Sequence, residues 1–160
     1  MITEKLQNAI NEQITAELWS ANLYLSMSFH MEKEGYPGMA KWLKKQWIEE
    51  SEHACALADY VIKRGGEAKV DKVDVVPNDF GSPAELFEQV YKHEVRISEM
   101  IDKLVDVAAS EKDKASQDFL WGFVREQVEE EAMTKGIADM VKKAGNTGIL
   151  FLDAKLGERK

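Results

Sequence analysis

The segment Glu67-Ala68-Lys69-Val70-Asp71-Lys72-Val73-Asp74-Val75-Val76-Pro77-Asn78-Asp79-Phe80-Gly81 decides the fold. It has no helical period and only a short hint of extended structure, yet it lies between two long helical patterns. Gly65-Gly66 stops the helix before it. Ser82-Pro83-Ala84-Glu85 starts the helix after it, with a cap, proline at the first helical position and a capping-box glutamate. A crossover of about residues 65–82 can span ~55 Å when extended, while a helix of this size needs only ~40 Å to be traversed from end to end. A loop this long inside a compact domain has a purpose. Here it returns the chain along the whole length of a bundle.

Outward from the crossover, helical patterns cover about residues 3–33, 39–64, 83–110 and 113–143, with Thr3 as the first N-cap. Gly35-Tyr36-Pro37-Gly38 is a tight breaker, so the first two helices form an antiparallel hairpin. The tail holds Gly148-Ile149-Leu150-Phe151-Leu152, inside a fifth helical stretch of about 147–156. That helix is too short to stand alone, so it is expected on the bundle end or in a subunit interface. The expected fold is all-α: one domain over 1–160, a four-helix bundle with one long crossover and a short C-terminal fifth helix.

Composition narrows the function. The net charge of −8 argues against nucleic acid as a partner, because a phosphate backbone repels an acidic surface. The same charge suits a protein that handles cations. The lone Cys55 makes no intrachain disulfide, which fits a reducing compartment. The sequence shows no basic start followed by an apolar run, and no apolar segment approaches ~20 residues. A cytoplasmic location, with no membrane partner, is therefore expected.

Each of the four core stripes is interrupted near its middle. Ile10, Ile14, Ala21 and Tyr24 are broken by Glu17; Leu43, Leu57 and Val61 by Glu50 and His53. Phe87, Val90, Ile97, Ile101 and Leu104 are broken by Glu94, and Leu120, Phe123, Ile137 and Val141 by Gln127 and Glu130. Glu50 and His53 leave the same face of their helix, being three residues apart. Four carboxylates at one level of a bundle repel one another, and two divalent ions neutralise them. One imidazole among many oxygens suits iron or manganese. Five side chains shared by two ions leave positions open for water or an oxidant, as a redox-active site requires.

These stretches, together with Glu49-Glu50-Ser51-Glu52-His53 and Arg125-Glu126-Gln127-Val128-Glu129-Glu130-Glu131, resemble the non-haem bacterial ferritins over essentially the whole chain. The resemblance implies a ferritin-like bundle assembled as a shell of 24 subunits. Such a shell oxidises Fe²⁺ with dioxygen or hydrogen peroxide and stores the Fe³⁺ as a mineral. Carried over, Glu17, Glu50 and His53 correspond to a first iron site, and Glu50 bridges to a second held by Glu94 and Glu130. Gln127 matches an amide that orients ligands or oxidant. Glu49, Glu126 and Glu129, with Glu130 shared, match a third iron site, or else a solvated acidic face.

Tyr24 shares the face of Glu17 and either serves the chemistry or is a buried tyrosine bonded to a carboxylate. Trp121 is core filler or an electron donor. His30 and His93 lack ligand-spaced partners and fit surface or packing roles, and Met27, Met31, Met100 and Met140 fit core or interface filling. Trp19, Tyr36 and Phe80 look exposed, and Asp113 and Asp118 are candidates for a threefold pore or a solvated face.

The nearest rival is a bacterioferritin, which binds haem and carries Glu-x-x-His on its fourth helix and a Met after the second-helix Glu. This chain has Gln127-x-x-Glu130, and Ser51 and Glu52 where that Met would stand. No haem is expected. A stress-defence ferritin that consumes hydrogen peroxide is the other alternative.

Overall fold

A computed structural model describes residues 1–160. Five helices account for the architecture: α1 (Glu4–Lys33), α2 (Pro37–Lys63), α3 (Pro83–Ser110), α4 (Lys114–Lys143) and α5 (Gly148–Leu156). Thr3 caps α1 through its hydroxyl, and Ser82 and Glu85 close a complete capping box on α3. The second helix begins two residues earlier than its pattern suggests, because Pro37 occupies the first helical position, where its missing N–H costs nothing. Asp113 caps α4 and is not its first residue. No helix is long and apolar enough to cross a membrane.

The main packing pairs are α1 with α2 and α3 with α4. Their buried faces form two separate hydrophobic clusters. One gathers Tyr24, Met31, Leu43, Phe87, Val90 and Val141. The other gathers Ile10, Ile14, Leu57, Val61, Ile101 and Leu120. Between them, on all four helices, stand Glu17, Glu50, Glu94, Gln127 and Glu130, every one buried. The carboxylates thus form a polar layer that divides the core.

The crossover does what its length requires. Ala68, near its start, packs on the cluster that holds the end of α2, and Phe80, near its finish, belongs to the cluster that holds the start of α3. A row of α1 side chains fastens it. Asn11 donates to Glu67 O at 2.9 Å and accepts from Lys69 N at 3.0 Å. Trp19 Nε1 donates to Val75 O at 3.3 Å, Ser26 Oγ to Pro77 O at 2.6 Å, and His30 Nε2 lies 2.7 Å from Gly81 O. A coil has no ladder of its own, so these side-chain bonds are what fasten its backbone to α1. They also account for His30 and Trp19, and Phe80 is buried, contrary to its exposed look in the sequence.

The fifth helix locks onto the start of α2. Tyr36 gives α2 no side-chain cap. Instead Asp153 Oδ1 accepts from Met39 N at 2.8 Å, across 114 residues. The approach needs a glycine: a Cβ on Gly38 would stand 1.8 Å from Asp153 O. At the far end Gly65, with φ +80°, turns the chain out of α2 in a conformation that other residues rarely adopt.

Candidate metal centre

Helix geometry explains why these side chains meet. On α2, Glu50 and His53 project from one face one turn apart, and antiparallel packing brings Glu17 of α1 opposite them. Ligand atoms of Glu17, Glu50 and His53 lie within 4.8 Å of one another. Gln13 Nε2 donates to Glu17 Oε1 at 3.1 Å, but Glu17 Oε2 is buried with no hydrogen-bond partner. A buried, unpartnered carboxylate oxygen costs about 1–3 kcal/mol or more if nothing binds it. That orphan oxygen, aimed among acidic and imidazole donors, fits a metal ion.

The imidazole is held on both sides. Its Nδ1 lies 3.3 Å from Glu50 Oε2 and its Nε2 2.8 Å from Glu126 Oε1. A carboxylate on the far nitrogen is the usual means of fixing the ring of a metal-ligating histidine. Burial disfavours the charged ring, but the bonds to Glu126 and Glu50 and the charges of Glu50 and Glu17 outweigh it and push the His53 pKa up to about 11. In return, the His53 bond holds Glu126 below the usual carboxylate range.

On α3 and α4 the carboxylates are held by neutral donors. Tyr24 donates its hydroxyl to Glu94 Oε1 in a short hydrogen bond. Gln127 Nε2 reaches Glu94 Oε2 at 3.1 Å, Glu94 O at 3.2 Å and Ser98 Oγ at 3.2 Å. Gln46 Nε2 donates to Glu130 Oε2 at 3.2 Å. Glu94 and Glu130 stand outside the tight group of three donors but sense the same field.

Without a cation these acids are strained electrostatically. Burial, followed by the adjoining Glu50 carboxyl, raises Glu17 well above the carboxylate range. Burial also raises Glu50, with the Glu94 charge adding to it against contacts with Glu17 and His53. Glu94 rises to about 7, through burial and then the charge of Glu130, although Tyr24 and Gln127 oppose the shift. Glu130 rises to about 7, through burial and then the charge of Glu49. Burial and the charge of Glu94 drive the Tyr24 phenol upward, so it stays a donor.

Of the remaining candidates, Glu49 is half-buried, with one buried oxygen unpartnered, and Glu126 and Glu129 are exposed on α4. Trp121 is exposed and is not core filler, and Met140 is exposed as well. His93 is a packing residue: it lies 2.8 Å from Ser20 Oγ and between the rings of Trp19 and Tyr24. Burial and the Arg96 charge press its pKa down to about 4. Asp113 is committed to capping α4 and to Arg64, whose two terminal nitrogens donate to it at 3.1 Å.

Sequence reasoning missed Gln13, Gln46, Ser98 and Arg159. The glutamines do interrupt apolar surroundings on α1 and α2, so that signal was available. Arg159 gave none: it lies in a short tail, 110 residues from the Glu49 it touches.

A four-helix bundle with one long crossover and a buried carboxylate–histidine layer defines a ferritin-like protein. A family model described as a ferritin-like domain matches residues 7–144. A bacterial non-heme ferritin of Bacteroides fragilis is 66% identical over 159 residues, covering 99% of this chain and 100% of that protein. One from Campylobacter jejuni is 35% identical over 148 residues, covering 92% and 89%. Among solved structures, an open-pore ferritin from Archaeoglobus fulgidus superposes with a TM-score of 0.98 at 42% identity, covering 100% of this chain and 99% of that one. The chain belongs to the ferritin family, among the bacterial non-haem ferritins.

Proposed function

We propose that this protein stores iron and acts as a ferroxidase, binding two Fe²⁺ at the buried carboxylate layer and oxidising them. The carrying observation is the convergence of Glu17, Glu50 and His53 around a buried carboxylate oxygen that has no partner. Glu17, Glu50 and His53 hold the first ion, and Glu50, Glu94 and Glu130 the second. Iron here is the substrate. Each Fe²⁺ gives up one electron, so a pair reduces one dioxygen to hydrogen peroxide, or one hydrogen peroxide to two waters, with two protons taken up in either case.

The chain's own groups set the conditions. Metal-free Glu17, Glu50, Glu94 and Glu130 all titrate above the ordinary carboxylate range. Incoming Fe²⁺ therefore displaces protons. Tyr24 and Gln127 fix both oxygens of Glu94, and the Tyr24 hydroxyl is placed to donate a proton or an electron to what binds there. Two Fe³⁺ carry six positive charges against four carboxylates, so the product recruits hydroxide or oxide, or leaves. Glu49, Glu126, Glu129 and Glu130 supply a third iron site on the way out. The ferric product is deposited as a mineral inside a homo-oligomeric shell, which the ferritin relatives support and which we take to have 24 subunits, in the cytoplasm.

Rapid mixing of Fe²⁺ with metal-free protein under dioxygen or hydrogen peroxide tests the reading. Fast ferric absorbance at two irons per chain is expected, and it should be lost in Glu50→Ala and His53→Ala. Oxidation at the wild-type rate in both variants rejects the site. A native mass near that of one chain rejects the shell. A Soret band in the purified protein would favour a bacterioferritin instead.

A further inference from the structure

Just beyond the end of the fifth helix, Arg159 reaches back to the edge of the carboxylate layer. Asp153, held by Met39 N, and the buried Leu156 fix α5 against α2. One further turn, closed by Glu158 N to Lys155 O at 3.1 Å and Arg159 N to Leu156 O at 3.3 Å, sets the direction of Arg159. Its guanidinium stacks over the Trp42 ring, 4.5 Å from the centroid, and Nη1 donates to Trp42 O at 3.1 Å. Nη2 donates to Gln46 Oε1 at 2.6 Å and to Glu49 Oε1 at 3.0 Å. Only 15% of the Arg159 side chain is exposed.

We propose that Arg159 is the resident counter-cation of Glu49, at the edge of the layer beside Glu130, and that a third, multivalent metal ion takes Glu49 only by displacing its guanidinium. The proposal rests on the third-site reading above and adds a regulator to it. Two observations carry it. Glu49 is bound through one oxygen only, and its other, buried oxygen has no partner. Gln46 is fully buried and links the arginine to the site, accepting from Arg159 and donating to Glu130.

The chemistry favours exchange over permanent closure. Arg159 meets Glu49 through a single nitrogen, not the two-pronged fork that makes arginine–carboxylate pairs strong. It brings one positive charge, and a metal ion brings two or three. Its stacking on Trp42 keeps the displaced guanidinium close at hand. Glu49 is thereby neutralised when metal is scarce, and a third ion binds less tightly than the pair held by Glu17, Glu50, His53, Glu94 and Glu130.

Calorimetric titration of the metal-free, assembled protein with Zn²⁺, which has no redox chemistry, tests this in wild type, Arg159→Gln, Arg159→Lys and Glu49→Gln. Arg159→Gln is expected to tighten the weakest Zn²⁺ step by about three- to tenfold, the scale of a charge-assisted hydrogen bond in a partly exposed ion pair. The two tight steps stay as in wild type, and Arg159→Lys falls in between. Tryptophan emission should change with that weakest step in wild type, as the cation leaves Trp42, and not in Arg159→Gln. An unchanged or weakened third step in Arg159→Gln, or in Arg159→Lys if the first variant misfolds, overturns the proposal while Glu49→Gln still removes that step. If Glu49→Gln alters no Zn²⁺ step, the third-site reading itself fails and Arg159 goes with it.

Discussion

The two halves of the carboxylate layer are built on opposite plans. On α1 and α2, Glu17, Glu50 and His53 crowd together, with one Glu17 oxygen partnered by nothing. On α3 and α4, Glu94 is held at both oxygens by Tyr24 and Gln127, and Glu130 is held by Gln46. The first half leaves a buried carboxylate oxygen without a partner; the second is ordered by its neutral donors. Both sit in the same helical lattice, so the difference comes from the polar neighbours that each carboxylate was given. In the proposed function, the first half supplies pull on the metal and the second supplies aim.

The largest effect should come from removing the residue that, in the proposed function, reaches from the first half to the ion of the second. Glu50→Ala is expected to lower the initial rate of Fe²⁺ oxidation by at least about 100-fold, since losing even an outer-shell partner of a metal ligand costs about 10–100-fold. Stopped-flow absorbance checks it. A smaller loss would mean that the halves bind metal independently.

Next comes the aim of the second half. Gln127→Leu and Tyr24→Phe each leave every proposed ligand present but free one Glu94 oxygen, and each should slow oxidation by about tenfold. Zn²⁺ stoichiometry should stay unchanged. Loss of an ion in either variant would show that these residues hold Glu94 in place for binding and not for orientation alone.

The halves also differ in pH response. Glu94 and Glu130 are raised from 4.5 to about 7 in the folded chain. Their contribution to stability is therefore full below about pH 4.5 and is lost as pH rises through about 7. Metal-free protein should melt on the order of 10 °C lower at pH 8 than at pH 5. Glu94→Gln should flatten that part of the slope, and saturating Zn²⁺ should reverse it, as scanning calorimetry can follow. An unaltered slope in the variant would move the strain to Glu17 and Glu50.

The smallest effect is expected at Gln13, the one neutral donor to Glu17. Gln13→Leu should change the tight Zn²⁺ affinity by about threefold, the scale of one ordinary hydrogen bond. A large loss would mean that the first half, too, is ordered by neutral donors.

Much of this was legible in the chain itself. The interrupted stripes placed Glu17, Glu50, Glu94, Gln127 and Glu130 at one level because a helix repeats every 3.6 residues and long antiparallel helices keep register. The capping box at Ser82 and the glycines at 65 and 66 fixed the crossover, since both are local chemistry. Other features were out of reach. Phe80 looks exposed in a polar coil, yet it is buried because the crossover lies along α1. Trp121 reads as core filler by type but faces outward, since helix rotation is settled by the packing of the whole layer.

What the sequence alone determined was the all-α order of elements and the set of buried acids, because helix periodicity and end signals act over a few residues. What only the tertiary structure decided was how each acid is satisfied. Tyr24 meets Glu94 across 70 residues, His53 meets Glu126 across 73, and Arg159 meets Glu49 across 110. Such partners are chosen by distance and burial in the folded bundle, where an unpaired charge is costly, and not by separation along the chain.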